Sequence, residues 1–201
     1  VDGCGPNFSD GTCVNLREGP GTKYPVAFRL RNGVVLAVAD TIEVDGKKWY
    51  KILFANELLY PERIKEDVYV AAEYAKLFTD EGNRESLKTG DATTTKRIVV
   101  DVSKQTGLEF TPTPRGTFSV FKMTPSRFMQ GPIPGVSDQV YDLPGVPWNL
   151  YFTAQGAVIH GAYWHDNFGK KWSHGCVNLS PENARKLYEW AEIGMSVMVQ
   201  N

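Results

Sequence analysis

A lone cysteine next to a histidine and a glycine is the group in this sequence best suited to covalent chemistry. Residues 173–178 read Ser-His-Gly-Cys-Val-Asn, and a second histidine, His160, ends an apolar run upstream. A thiol with the reference pKa of about 8.5 is mostly protonated near neutral pH, and it becomes a nucleophile when a nearby base or cation favours the thiolate. The glycine before Cys176 permits a sharp turn that exposes backbone N–H groups. The segment is therefore a candidate nucleophilic site.

Three histidines are available as the base. His160 ends a strand that looks buried, so packing can fix its ring, while His174 lies two residues from the cysteine in the chain. Spacing alone does not decide between these two. His165 lies in an aromatic and polar stretch, and we expect it to be a polar loop residue. Backbone N–H groups of Gly175 and Cys176 are natural donors to an oxyanion, with His174 as a further candidate.

Two other interpretations of the cysteine segment are weaker. A zinc site would need His160, His165, His174 and Cys176, but their spacing fits no common zinc pattern. A buried, inert thiol is the usual state of a lone cysteine, and the flanking histidine and glycine argue against it. We therefore expect a cysteine enzyme with no metal and no cofactor.

Composition and charge exclude several classes of function. The 201 residues include 22 basic and 23 acidic ones, for a formal net charge of −1, which gives no electrostatic basis for binding nucleic acid or anionic membrane. A hydrophobic fraction of 42% suits a folded globular chain. No apolar run reaches the roughly 20 residues of a membrane span. The polar start, Val-Asp-Gly, does not look like a signal peptide.

The cysteines divide unequally along the chain. Cys4 and Cys13 lie close together in a leader rich in small and polar residues, and Cys176 stands alone far downstream. An odd number leaves at least one thiol, and the simplest pairing is Cys4 with Cys13. Such a disulfide predicts an oxidising compartment and therefore an exported protein. The alternatives are two reduced cysteines in a cytosolic protein or a metal-binding pair.

The first part of the chain reads as a small β barrel. Short strand candidates with frequent turns follow one another over residues 13–78, with an Asp-Gly hairpin turn at residues 45–46. A charged insertion at residues 56–67 is longer than a simple hairpin needs. Residues 79–95 are polar and contain three consecutive threonines, which makes them the predicted linker.

The second part contains further strands, one long irregular stretch and a helix. Residues 96–102 and 196–199 read as strands, and residues 151–153 and 157–160 read as two more. Residues 123–147 are rich in glycine and proline, which predicts a long functional loop of the kind that often forms a lid. Three residues predict the start of a helix: Ser180 as N-cap, Pro181 at the first helical position and acidic Glu182 in the first turn.

Residues 15–22, Asn-Leu-Arg-Glu-Gly-Pro-Gly-Thr, resemble the signature of bacterial Src-homology-3-like domains. The Trp-Tyr-Lys-Ile strand at residues 49–52 fits the same pattern. The resemblance implies such a domain over residues 1–78, including a short leader. Modules of this type usually accompany exported cell-wall enzymes, so this domain is a candidate binder of cell-wall glycan.

The second part resembles the catalytic domain of the L,D-transpeptidase (YkuD-type) family. The family's signature histidine is met by His160, its Ser/Thr-His-Gly-Cys-hydrophobic-Asn motif by residues 173–178, and its Thr-Pro-x-Gly-x-Phe turn by residues 113–118. Residues 96–106 look like its opening strand, so the domain is expected over residues 96–201. Together the resemblances imply a mainly β protein: a small Src-homology-3-like barrel, then a β-rich catalytic domain with one or two helices.

The resemblance also implies a role for each residue of the motif. Cys176 is the nucleophile and His160 the base, which removes the ambiguity that spacing leaves. The backbone carbonyl of Gly161 orients the imidazole; some relatives carry serine there, and this chain has no side chain to do so. His174 and Gly175 frame the oxyanion site together with Cys176.

Substrate contacts are expected from the motif and from nearby aromatic residues. Asn178 stands where many relatives have arginine, so pairing of a charged side chain with a substrate carboxylate is in doubt at this position. The predicted substrate-contacting residues are Ser173, Asn178, Trp148, Tyr151 and Trp164.

The implied reaction is acyl transfer on peptidoglycan stem peptides. Cys176 attacks the carbonyl of the third residue of a tetrapeptide stem, D-alanine leaves, and an amine of a second stem resolves the thioester into a 3→3 cross-link. Two alternatives remain from the sequence. One is an L,D-carboxypeptidase that uses water as the acceptor, and the other is a non-catalytic wall-binding protein with a vestigial cysteine site. In all three cases the protein is expected outside the cytoplasm.

Overall fold

The computed structural model describes residues 13–54, 58–64, 66–85, 96–103, 112–135, 137–170, 173 and 175–200. Strands dominate these residues, and one α-helix and two short 3-10 segments accompany them. The prediction of a mainly β protein with one or two helices is confirmed. Across the described residues, no helix combines the length and the apolar character that crossing a bilayer requires.

The chain divides into two compact units. The first comprises Val1–Asp80 and Ser126–Val146, and the second comprises Glu81–Pro125 and Pro147–Asn201. The predicted linker at residues 79–95 is only partly described, and the predicted domain limits remain a prediction.

The first unit contains a five-stranded antiparallel sheet with strand order β2-β1-β5-β4-β3. Its core includes the buried side chains of Leu16, Trp49, Ile52 and Val70. The strands are β1 (Val14–Arg17), β2 (Val26–Leu30), β3 (Ala37–Val44), β4 (Lys47–Leu53) and β5 (Tyr69–Ala71), with 3-10 turns at Pro61–Arg63 and Ala72–Tyr74.

The hairpin between β3 and β4 turns where the sequence predicts it. Asp45 and Gly46 both have positive φ, at 51° and 71°. Positive φ at both central residues is the requirement of a two-residue type I′ turn, which Asp-Gly satisfies at low steric cost. Val44 and Lys47 are the last paired residues on either side.

The second unit holds most of two further sheets. One has the order β12-β11-β10-β9-β6, and the other has the order β7-β13-β8. In the three-stranded sheet, β13 pairs parallel to β7 and antiparallel to β8. The strands are β6 (Arg84–Glu85), β7 (Arg97–Asp101), β8 (Gly116–Ser119), β9 (Lys122–Ile133), β10 (Ser137–Tyr151), β11 (Val158–Gly161), β12 (Val177–Leu179) and β13 (Ser196–Gln200).

The stretch predicted as a long loop is a long β hairpin. β9 and β10 are neighbours in one sheet and together cover most of residues 122–151. The prediction of a loop or lid was wrong because glycine and proline were taken as strand breakers. Here they fall within strands, as at the Gly131–Pro132 peptide bond of β9, where a missing N–H or a bend is tolerated.

The distal half of this hairpin belongs to the first unit, and polar contacts tie it to the insertion that follows β4. The Gln130 side chain accepts from the Tyr60 N–H at 2.8 Å and donates to the Tyr60 carbonyl at 3.0 Å and to Asp142 at 2.8 Å. Arg63 stacks over the Tyr60 ring at 3.9 Å and lies 3.6 Å from the Asp142 carboxylate. The charged insertion is therefore docked against the hairpin.

The single α-helix of the described residues, α1 (Pro181–Trp190), begins directly after β12. Ser180 is its N-cap and accepts from the Asn183 N–H at 3.3 Å, with proline at the start of the first turn. These are the predicted start signals, and they satisfy N–H groups that a helix leaves open at its first turn. Ala184 and Tyr188 form its buried side.

Candidate active site

The strand that carries His160 lies parallel to the strand that follows the cysteine. β11 pairs with β12, and the register sets His160 opposite Asn178. All four residues of β11 are buried, as expected of a strand in a parallel pair. Because residues paired across neighbouring strands point to the same face of a sheet, the side chains of His160 and Asn178 share one face.

Cys176 lies directly before β12. Side chains alternate along an extended chain, so two residues back from Asn178 the cysteine returns to the face that carries His160. Cys176 is not in a disulfide and is partly exposed, with Sγ 3.9 Å from the carbonyl oxygen of Gly156. His160, in contrast, is only 1% exposed. The structure thus has a partly exposed thiol two residues before the strand position that pairs with the buried imidazole.

The imidazole of His160 is oriented by the main chain. Its Nδ1 lies 3.2 Å from the carbonyl oxygen of Gly161, the contact that the resemblance implied. A carbonyl oxygen only accepts, so Nδ1 carries a hydrogen in this contact. In the neutral ring, Nε2 then holds the lone pair that a general base needs.

Gly161 has no room for a side chain. A Cβ there would lie 2.8 Å from Pro147 Cγ, 3.1 Å from the Pro181 backbone and 3.3 Å from Ala184 Cβ. The glycine therefore lets the start of α1 pack tightly on β11. This explains in steric terms why the chain orients its histidine with a carbonyl and has no serine at this position.

A group of aromatic side chains lies on one side of the buried imidazole. Trp164 stacks on His160 with the ring centroids 5.6 Å apart and the planes 29° apart. It also meets the rings of Tyr163 and His165 edge-on. Tyr163 is buried, and desolvation raises the pKa of its hydroxyl, which stays protonated. Trp164 itself is half-buried, so it forms one wall beside the histidine.

The turn before the nucleophile is closed by Ser173. Its hydroxyl donates to the Cys176 carbonyl oxygen across 2.5 Å. Gly175 has a φ of 111°, which L side chains rarely adopt and which glycine tolerates. The predicted oxyanion donors, the N–H groups of Gly175 and Cys176, lie within this turn. His174, the third member of the predicted oxyanion frame, lies outside the described residues.

His165 lies in a loop, as the sequence predicted, but its side chain is buried. It is 4% exposed, Nδ1 accepts from the Asn167 N–H at 3.2 Å, and Nε2 lies 2.8 Å from the Asn178 amide. Burial lowers the pKa of its imidazole to about 4, against a smaller opposite effect of Asp166. Sequence reasoning missed it because the neighbouring polar residues hide its burial; the aromatic residues on both sides were the available signal.

The remaining two residues predicted to contact substrate lie on β10. Trp148 is buried, with its ring 5.2 Å from Tyr188, and it has a φ of 60°, uncommon for a bulky residue. This environment is that of a packing residue. Tyr151 is half-buried, 6.4 Å from the Phe121 ring, with the Lys122 ammonium 5.6 Å from its ring centroid. Substrate contact by either residue remains a prediction.

Cysteine chemistry elsewhere agrees with the predicted pairing. Cys13 is disulfide-bonded, and the predicted partner, Cys4, lies outside the described residues. Among the described residues, no group of three or more histidine, cysteine, aspartate or glutamate side chains is arranged to hold a metal ion.

Two family matches cover nearly the whole chain. The L,D-transpeptidase catalytic domain (YkuD) matches residues 71–199, and the bacterial SH3 domain matches residues 12–76. Both resemblances drawn from the sequence are therefore confirmed. No curated protein matches the chain.

Several solved structures are similar to the chain. An L,D-transpeptidase from Mycobacterium smegmatis is 20% identical over 83% of this chain and 100% of that chain, with a TM-score of 0.46. A mutant of the Enterococcus faecium L,D-transpeptidase is 25% identical over 52% of this chain and 49% of that chain, with a TM-score of 0.45. Mycobacterium tuberculosis L,D-transpeptidase 1 is 26% identical over 50% and 59%, with a TM-score of 0.39. The chain thus spans about half the length of the Enterococcus faecium structure.

Proposed function

The chain belongs to the family of L,D-transpeptidase catalytic domains, and from this premise we propose that it transfers acyl groups between peptidoglycan stem peptides through Cys176. His160 Nε2 takes the thiol proton, and the thiolate attacks the carbonyl of the third residue of a tetrapeptide stem. The imidazolium returns the proton to the departing D-alanine amine, and a thioester remains. An amine of a second stem, losing its proton to His160, attacks the thioester and releases the cysteine with a 3→3 cross-link.

The observation that carries this proposal is the contact between His160 Nδ1 and the Gly161 carbonyl at 3.2 Å. It gives the neutral ring the tautomer in which Nε2 is basic. The parallel register of β11 and β12 supports the pairing, because it brings the face of His160 alongside the segment that carries Cys176. A merely structural cysteine would need neither an oriented imidazole nor an accessible Sγ.

The negative charge that develops on the substrate carbonyl oxygen needs fixed donors. We assign this role to the N–H groups of Gly175 and Cys176, together with His174. The Ser173 hydroxyl supports it, because its bond to the Cys176 carbonyl stiffens the turn that presents those N–H groups. Donors fixed before reaction stabilise the oxyanion at no reorganisation cost.

Substrate contact is proposed for the residues around this turn. Trp164 has the strongest support, since it is half-buried and stacked on His160. Tyr151 is also half-buried, and Ser173 lies within the turn. The side chains of Trp148 and Asn178 are engaged by neighbouring residues, so their substrate contacts have less support.

The bacterial SH3 domain and the disulfide suggest where the protein acts. The domain at residues 12–76 is a candidate to bind cell-wall glycan and hold the enzyme near its substrate. A disulfide at Cys13 is stable in an oxidising compartment. We therefore propose an extracytoplasmic location, in the cell wall or periplasm.

Incubation with purified disaccharide tetrapeptides, followed by mass analysis, tests the reaction directly. We expect dimers that have lost one D-alanine for each cross-link formed. Tripeptide monomers without dimers would instead identify a carboxypeptidase that uses water. Cys176→Ala should abolish both products while keeping the wild-type circular dichroism spectrum. Unchanged substrate with the wild-type protein would contradict the proposal.

A carbapenem offers a second test, because its strained ring mimics the acyl donor. We expect a single covalent adduct on the wild-type protein by intact-mass spectrometry. Cys13 is disulfide-bonded, so under non-reducing conditions the adduct reports Cys176. Cys176→Ala should show no adduct. An adduct of equal yield on that variant would contradict the assignment of Cys176 as the nucleophile.

A further inference from the structure

A second buried imidazole lies beside the site and takes no part in the proposed chemistry. His165 is 4% exposed, and its ring lies 5.9 Å from that of Trp164 and 5.2 Å from that of Phe168. Both ring nitrogens have polar neighbours, namely the Asn167 N–H at Nδ1 and the Asn178 amide at Nε2. A buried polar ring with two directed contacts connects the segment after β11 to β12.

The contact with Asn167 determines where the His165 proton resides. A backbone N–H only donates, so Nδ1 of His165 accepts and carries no hydrogen. Burial keeps the ring neutral at physiological pH by lowering its pKa to about 4. The hydrogen of the neutral ring is therefore on Nε2. His165 and His160 thus hold opposite tautomers, since His160 has its hydrogen on Nδ1.

This protonation state in turn determines how the Asn178 amide faces His165. In the structure, Asn178 Nδ2 lies 2.8 Å from Nε2, while Asn178 Oδ1 is buried with no hydrogen-bond partner among the described residues. Two donors cannot bond to each other, and the nitrogen and oxygen of an amide are assigned from the hydrogen-bond network. Rotating the amide by 180° places Oδ1 where it accepts the Nε2–H bond, and it places the amide NH2 at the buried position where Oδ1 lay.

We propose that His165 is a positioning residue that holds β12 through the Nε2–H···Oδ1 bond to Asn178, and so fixes the Cys176 segment against His160. Asn178 is the residue paired with His160 across β11 and β12 and lies two positions from Cys176. A shift of Asn178 therefore changes the separation of nucleophile and base, to which reaction rates are steeply sensitive. The inference rests on the proposed function of these two residues.

The tautomer of His165 in the wild-type protein is the first test. Long-range 1H–15N correlation spectra distinguish a ring nitrogen that carries hydrogen from one that does not. The chain has three histidines, and the signals of His165 are those that disappear in His165→Gln. We expect hydrogen on Nε2 alone at pH 7. Hydrogen on Nδ1, or on both nitrogens, would overturn the proposal.

A pair of amide substitutions tests which end of the ring matters. The side chain of glutamine places its NH2 near the position of Nε2, and that of asparagine reaches only the position of Nδ1. We expect His165→Gln to keep the carbapenem acylation rate of Cys176 within about threefold of wild type, and His165→Asn to slow it about tenfold. Equal rates for the two variants would contradict the proposal. Asn167→Ala is the control, since only its backbone N–H is used, and it should leave the rate unchanged.

A double-mutant cycle separates positioning through Asn178 from a general packing role. His165→Phe and Asn178→Ala should each slow acylation about tenfold, and the double variant should be no slower than either. A structural role independent of Asn178 would multiply the effects to about a hundredfold and refute the proposal. If His165→Phe does not fold, the tautomer and the glutamine variant still decide the question.

These readouts distinguish the two proposals. Failure of the wild-type protein to process muropeptides or to react with a carbapenem would count against the proposed function. The tautomer of His165 needs no turnover, and the rate of Cys176 alkylation by iodoacetamide can replace acylation in the cycle. If His165 carries its hydrogen on Nε2, and if the double variant is alkylated no more slowly than either single variant, the positioning role is supported even when the proposed function fails.

Discussion

The two compact units bury polar side chains for different ends. Among the described residues, the first unit buries one polar side chain, Gln130, whose amide bonds to both polar groups of the Tyr60 backbone and to Asp142. The second unit buries six: Thr113, Thr124, Asn149, Thr153, His160 and His165. The Gln130 amide makes three hydrogen bonds, all to neighbouring structural groups. The Nδ1 atom of His160 contacts the Gly161 carbonyl, and Nε2 is the proposed base.

Burial of a polar side chain does not by itself mark a functional site. An imidazole can gain and lose a proton during a reaction, which is what the proposed role of His160 requires. Gln130 cannot, since an amide does not titrate, and a network with every member bonded stabilises one arrangement.

The largest expected effect is on His160. His160→Ala should reduce the rate of Cys176 acylation by a carbapenem about 10²- to 10⁴-fold, the usual contribution of a general base. Gln130→Ala is the matched control in the other unit and should acylate at the wild-type rate. Time-resolved intact-mass spectrometry measures both. Similar losses of rate in the two variants would contradict a specific role of His160 as the base.

A pH effect on stability is expected from His165. Its pKa falls from 6.5 to about 4 on folding, because burial disfavours the charged ring more than Asp166 favours it. Between those pH values the His165 side chain binds more protons in the unfolded chain than in the folded one. Its contribution to stability is therefore fully present above pH 6.5 and is lost as the pH falls towards 4. The loss should be on the order of 2–4 kcal/mol.

Urea unfolding of wild type and His165→Gln across this pH range isolates that effect. The difference in unfolding free energy between the two proteins should shrink as the pH falls from 6.5 to 4, because only the wild type must keep an imidazole neutral. A constant difference would mean that His165 titrates normally in the folded protein.

A smaller effect is expected from Gln130. Gln130→Leu should lower the free energy of unfolding by about 1–3 kcal/mol, because it leaves the Tyr60 N–H and carbonyl and the Asp142 carboxylate without their bonds to the amide. Denaturant unfolding measures the loss, and the acylation rate should not change. Unaltered stability would show that water replaces these bonds at no cost.

The smallest effect is expected at the start of the helix. Ser180→Ala should destabilise the protein by about 1 kcal/mol, because the Asn183 N–H loses its side-chain acceptor. Ser180→Asp, which keeps an acceptor and adds a charge favourable at this helix end, should match or exceed the wild type. Thermal unfolding of the three proteins provides the ranking.

Local chemistry made much of the fold predictable. The turn at Asp45 and Gly46 and the cap at Ser180 depend on residues within a few positions, and the structure has both where the sequence predicts them. The hairpin of β9 and β10 was missed because its glycines and prolines were taken as strand breakers. Whether a proline or glycine ends a strand or sits in one depends on the partner strand, which the sequence does not display.

The same division explains the candidate site. The motif around Cys176 predicts the nucleophile from local sequence, and the resemblance to a family predicts His160 as the base. The role of His165 could not be read in this way, since it depends on burial and on a contact with Asn178 across the chain. Polar neighbours such as Asp166 gave no sign that this loop position is buried.

Gly161 gives the site an unusual mutational profile. The group that orients the proposed base is a main-chain carbonyl. Every amino acid supplies this carbonyl, so no substitution at position 161 can delete it. What a substitution adds is volume, against Pro147, Pro181 and Ala184. Activity of variants at position 161 should therefore fall with increasing side-chain size and should not depend on side-chain polarity. A library of such variants would show a steric limit at this position and no chemical requirement.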